Sequence, residues 1–197
     1  MKKSFKVLVI VFVVLILFSS PALTNNIFET INNEDEISKI KNEIKKLENI
    51  NLRNEDGLTL LMYVVKNNYN LELTKFLIDN GININSRDKT GMTALMYSVW
   101  HNENFKITEL LIKSGADVNA REKYGSIPKK MAAYVYDKHP EDFDDPNIKE
   151  NKAFGMTALM LAANFKGEKT VKLLLENGAD ASLKDVNNKT AFDYAQN

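Results

Sequence analysis

The sequence predicts an all-α array of repeated helix pairs stacked on one another, and three observations predict it. The chain matches itself: Gly57-Leu-Thr-Leu-Leu-Met62, Gly91-Met-Thr-Ala-Leu-Met96, Gly125-Ser-Ile-Pro-Lys-Lys130, Gly155-Met-Thr-Ala-Leu-Met160 and Asn188-Lys-Thr-Ala-Phe-Asp193 recur at offsets of 34, 34, 30 and 33 residues. A second motif runs in phase with the first, as Phe76-Leu-Ile-Asp-Asn-Gly81, Glu109-Leu-Leu-Ile-Lys-Ser-Gly115 and Lys172-Leu-Leu-Leu-Glu-Asn-Gly178. Between the two motifs the apolar residues follow a helical period, with stripes such as Leu73, Phe76, Leu77 and Ile78 or Ile107, Leu110, Leu111 and Ile112. Such stripes are too wide for one helix pair to keep from water, so each pair must stack on its neighbours.

The elements follow in chain order. Lys2, Lys3 and Lys6 precede an unbroken apolar run from Val7 to Phe18, and Ser19-Ser20-Pro21-Ala22 comes next. This is the pattern of a secretory signal peptide over residues 1–22, with cleavage expected after Ala22. A 12-residue helix is about 18 Å long against a hydrocarbon core of about 30 Å, which makes an uncleaved membrane anchor the weaker alternative. Residues 23–197 are then the repeat domain. Ile37, Ile40, Ile44 and Leu47 recur at helical spacing among charged residues, and residues 27–52 read as an opening cap. Repeats are expected to start near 53, 87, 121 and 151, with a closing half-repeat over 184–197. Thr59, Thr93, Thr157 and Thr190 precede the first helices, where a hydroxyl accepts orphan N–H groups. Gly81, Gly115 and Gly178 follow the second helices, where a left-handed residue ends a helix. The unit from 121 is irregular: a first helix over Pro128–Tyr136 runs into His139-Pro-Glu-Asp-Phe-Asp-Asp-Pro146, whose prolines oppose a second helix.

These motifs resemble those of the ankyrin family, whose unit of about 33 residues carries T-P-L-H-x-A in its first helix. The resemblance covers the chain from about Ile27 to Asn197. It implies a solenoid of helix-turn-helix units with projecting β-turn fingers, and a protein-binding role. One departure is systematic: Met62, Met96, Lys130, Met160 and Asp193 stand where the family has histidine, so methionine packing replaces the usual threonine–histidine bond.

Composition narrows the function. With 26 basic and 26 acidic residues the formal charge is zero, so nothing global steers the chain to nucleic acid. The absence of cysteine removes disulfides, thiolate metal sites and a cysteine nucleophile. The two histidines, His101 and His139, lie in different units without acidic residues at ligand spacing, and Asp142, Asp144 and Asp145 lack the glycine turn and closing glutamate of a calcium loop. No phosphate loop is present. The expectation is a non-enzymatic interaction module without metal or cofactor, monomeric, periplasmic or secreted. The alternative is a structural or chaperone-like subunit protecting a periplasmic enzyme.

The family resemblance also implies where a partner sits: on the finger tips and the exposed side of the first helices. On the finger edge Arg53, Arg87, Arg121 and Lys184 recur in register and should stack into a basic row suited to a protein with an acidic surface. The competing reading pairs each with its neighbouring acid, such as Asp88, Glu122 or Asp185. The helix ends contribute Lys66, Trp100, His101, Tyr134 and Phe165, and the fingers add Tyr124 and Phe154. Trp100, the chain's only tryptophan, is expected to be exposed and to form the hot spot.

Overall fold

A computed structural model describes residues 27–32, 36–67, 70–100, 105–122, 155–165 and 167–196. The expected signal segment, and the expected helix over Pro128–Tyr136 with the acidic stretch after it, lie outside the described residues. Within them the chain is helical, with short turns and one isolated antiparallel bridge between Arg53 and Thr59. A helical turn over 27–32 precedes α1 (Ile37–Lys45). Then come α2 (Leu60–Asn67), α3 (Leu71–Asp79), α4 (Ala94–Trp100), α5 (Phe105–Lys113), α6 (Ala158–Asn164), α7 (Glu168–Glu176) and α8 (Ala191–Ala195).

Each first helix begins directly after its threonine. The Thr59, Thr93, Thr157 and Thr190 hydroxyls accept the N–H of the third helical residue at 3.3–3.4 Å. That bond satisfies one of the donors that a helix start leaves without an internal partner. At Thr190 the cap is reciprocal, because Asp193 in turn accepts the Thr190 N–H at 2.7 Å. These bonds, from the Thr190 amide first, hold the Asp193 carboxyl below the usual carboxylate range. The methionines at the family's histidine position are buried, Met62 and Met96 fully and Met160 nearly so, and the Met62 sulfur accepts the Thr59 N–H at 3.5 Å. The second helices end as expected. Gly81, Gly115 and Gly178 have φ of 81°, 91° and 86°, and the next residue's N–H reaches back to Leu77, Leu111 or Leu174.

Layers form by first helix on first helix and second on second. α2 packs on α4, and α4 on both α5 and α6; α3 packs on α5, and α5 on α7. The finger before α6 closes differently from the others. The Glu122 N–H donates to the Met156 carbonyl at 3.1 Å, as Asp88 donates to Met92, Asn54 to Leu58 and Asp185 to Lys189. In those three fingers the partner is four residues on. Here the same closure joins residues 34 apart, the Met156 N–H returning to Glu122 Oε1 at 3.3 Å. The finger that starts at 121 therefore shares a layer with α6 and α7. Among the described residues α4 packs on α6 and α5 on α7 in direct contact.

The fingers are tied edge to edge. Asn51, Asn85 and Asn119 each accept through Oδ1 the backbone N–H of the next finger, from Asn83, Asp117 and Asp180, all at 2.8 Å. Neighbouring fingers approach closely enough that a Cβ on Gly57, which has φ of 81°, would lie 2.9 Å from Lys89 Cγ and 3.1 Å from its amide nitrogen. Gly57→Ala combines that crowding with a left-handed backbone that costs an L-residue about 1–2 kcal/mol. A destabilisation of at least about 1 kcal/mol in chemical denaturation is the expected result. An unchanged midpoint would show that the finger shifts freely.

Candidate protein-binding face

The four basic residues line the finger edge, and their bonding differs from the reading that pairs each with its neighbouring acid. Arg53, Arg87, Arg121 and Lys184 are exposed along the finger edge. Arg53 Nη1 donates to the Gly57 carbonyl at 2.6 Å and to the Arg87 carbonyl at 2.7 Å. Arg87 Nη1 donates to the Arg121 carbonyl, and Arg121 Nη2 to the Lys184 carbonyl. Each guanidinium thus clips its own finger to the next.

The local acids are occupied elsewhere. Asp88 Oδ1 accepts the N–H groups of Thr90 and Met92 at 2.8 and 2.9 Å, while Oδ2 accepts the Tyr97 hydroxyl at 2.7 Å. Asp185 repeats the arrangement with Asn187, Lys189 and the Tyr194 hydroxyl. The expected ion pairs of Arg87 with Asp88 and of Lys184 with Asp185 are not formed, because these carboxylates point inward to close their own turns. Burial, and then the hydrogen bond to Asp88, push the Tyr97 hydroxyl far above its ordinary range, so it stays a donor.

A guanidinium bonded to a neutral carbonyl keeps its full charge. The row is accordingly both a brace and an electropositive edge. Removing one brace leaves its carbonyl open to water, so Arg87→Ala should cost about 0.5–1.5 kcal/mol, the net worth of a hydrogen bond. Denaturant unfolding checks this, and a change under about 0.3 kcal/mol would deny the brace any weight.

At the helix ends, Lys66 is half-buried, with Nζ 5.5 Å from the centre of the Tyr97 ring. Trp100 closes α4 at the register position that Lys66 occupies in α2. It is half-buried and packs against the core, a correction to the expected exposure. The cause is tertiary, since α4 lies between its own second helix α5 and the first helices α2 and α6. Phe165, the residue that caps α6, is likewise half-buried against the core. His101, Tyr124, Tyr134 and Phe154 lie outside the described residues. Sequence reasoning passed over the Asn51, Asn85 and Asn119 bridges and the Asp88–Tyr97 and Asp185–Tyr194 pairs. The asparagines had a signal, since they recur two residues before the basic row.

The family model for ankyrin repeats (3 copies) matches residues 28–122 and 131–197, more than half of the chain. The chain belongs to the ankyrin-repeat family. Among curated proteins none matches it. The match breaks after residue 122, the residue whose backbone and side chain close across to Met156. Among the described residues of this ankyrin-repeat array no helix is long and apolar enough to cross a membrane.

Ankyrin repeats are protein–protein interaction modules, and the family is typically non-enzymatic. In this ankyrin-repeat protein the bracing arginines, Lys66 and Trp100 combine charge with a partly exposed aromatic. Of these, arginine and tryptophan are residue types that carry binding energy at protein surfaces.

Proposed function

We propose that the chain is a non-enzymatic module of the cell envelope, or a secreted one, that binds a protein partner through its finger edge and first-helix ends. The partner presents an acidic surface. The observation that carries this reading is the row Arg53, Arg87, Arg121 and Lys184, exposed and in register, whose arginine heads bond only to neutral carbonyls among the described residues. The acids behind it, Asp88 and Asp185, are buried in the finger roots and close their own turns rather than pairing with the row.

Cross-linking in the envelope fraction, followed by mass spectrometry, tests the reading. A partner with an acidic face, whose recovery falls steeply with added salt, is expected. A partner held equally well at high salt would remove the electrostatic part. Export is checked separately: chain recovered from the envelope should start at Leu23, as its intact mass will report. Full-length chain in the membrane pellet would support the anchor instead.

A further inference from the structure

The finger before α6 has the parts of an ordinary finger, in two pieces. Glu122 donates its N–H to the Met156 carbonyl at 3.1 Å, as Asp88 does to Met92. Gly155 has φ of 72° at the place where Gly91 has 82°, one residue before the accepting carbonyl. The flanking sequences correspond as well: Arg121-Glu122 and Gly155-Met-Thr-Ala-Leu-Met160 match Arg87-Asp88 and Gly91-Met-Thr-Ala-Leu-Met96. What differs is the tip, which is Lys89 and Thr90 in one finger and the 32 residues 123–154 in the other. With a two-residue tip in their place, Gly155 would follow Gly91 by 34 residues, the offset that separates Gly91 from Gly57.

We propose that residues 123–154 are an insertion in the tip of this finger, and that the repeat array is complete without them. The bonds to the next finger carry the argument. Asn85 accepts the Asp117 N–H at 2.8 Å and donates through Nδ2 to the Gly115 carbonyl at 3.1 Å. Asn119 makes the same two bonds, at the same distances, to Asp180 and Gly178. Arg87 reaches the Arg121 carbonyl, and Arg121 in turn reaches the Lys184 carbonyl. The finger at 119 therefore neighbours the finger at 180 as directly as the finger at 85 neighbours the one at 117. The helices agree, because α4 packs on α6 and α5 on α7. The family match resumes at residue 131, and the rival reading is a further repeat within the segment. A further repeat stacked in chain order would set its own finger between those at 119 and 180 and break both sets of bonds. A finger tip is also where a chain tolerates added residues. Its root is already closed by the bonds between Glu122 and Met156, and the entropy of closing a loop grows only with the logarithm of its length. The irregular unit expected from 121 then merges with the one expected from 151, and Arg53, Arg87, Arg121 and Lys184 belong to four consecutive fingers.

Two measurements test this. In the first, residues 123–154 are replaced by the Lys-Thr tip of the second finger. The variant should unfold cooperatively with a denaturation midpoint at or above that of the full chain, since the shorter loop costs less to close, and the amides of α6 and α7 should exchange no faster. The second keeps the full chain, which has no cysteine of its own, and introduces cysteine pairs for a short bifunctional maleimide. Asn119→Cys with Asp180→Cys should cross-link within one chain to the same extent as Asn85→Cys with Asp117→Cys. A control pair that links while the 119 and 180 pair does not would place a further repeat between those fingers and overturn the proposal. A replacement variant that fails to fold, or whose α6 and α7 lose protection, would overturn it too, because the segment would then belong to the stack.

Discussion

Leu174→Ala is expected to lower the free energy of unfolding by about 2–5 kcal/mol, the range for truncating a fully buried leucine. Leu174 is 0% exposed in the middle of α7, and its carbonyl also accepts the Ala179 N–H that ends the helix. The side chain is held from several directions, because α7 packs on both α6 and α5. A void there cannot be closed by moving one helix without opening a gap against the other, so the cost should fall in the upper half of that range. Leu95→Ala, at the same depth in α4, serves as the parallel case. Denaturant titration with the slope held common measures both. A loss below about 0.5 kcal/mol at either site, the range of an ordinary surface change, would mean that the stacking register is displaced.

Trp100→Ala should weaken binding of the native partner by at least about 2 kcal/mol, the size of a hot-spot truncation. Its half-buried position alters how the experiment is read. The indole covers part of the core, so the substitution should also cost about 1–2 kcal/mol of stability, a share of what full burial of a large side chain contributes. Binding must therefore be expressed per folded molecule, with the folded fraction taken from circular dichroism of the same sample. A loss that tracks only the folded fraction would assign Trp100 to the core alone. Arg87→Glu has a different signature: slower association and a weaker salt dependence, since a surface charge acts by steering within a Debye length of about 8 Å. It also removes the clip to the Arg121 carbonyl, which makes Arg87→Gln the control for charge.

The sequence by itself determined the helix boundaries and the period. A threonine hydroxyl bonds three residues ahead and a glycine turns the chain where it stands, so Thr93 and Gly115 mark their helix ends whatever surrounds them. Methionine burial at the family's histidine position was equally legible, because an unbranched apolar side chain on the inner stripe has one place to go. The site was legible only as a pattern. That Arg53, Arg87, Arg121 and Lys184 form a row follows from their spacing, but their partners are carbonyls 34 and 63 residues away, which only stacking brings within reach. Tertiary structure likewise decided that Trp100 is half-covered, that Glu122 closes its finger on Met156, and that Phe192 stands open where Leu61, Leu95 and Leu159 are buried. The physical reason is common to all of these. Capping and chain reversal are settled by residues within about four positions, whereas burial and the choice of hydrogen-bond partner depend on which layer lies next.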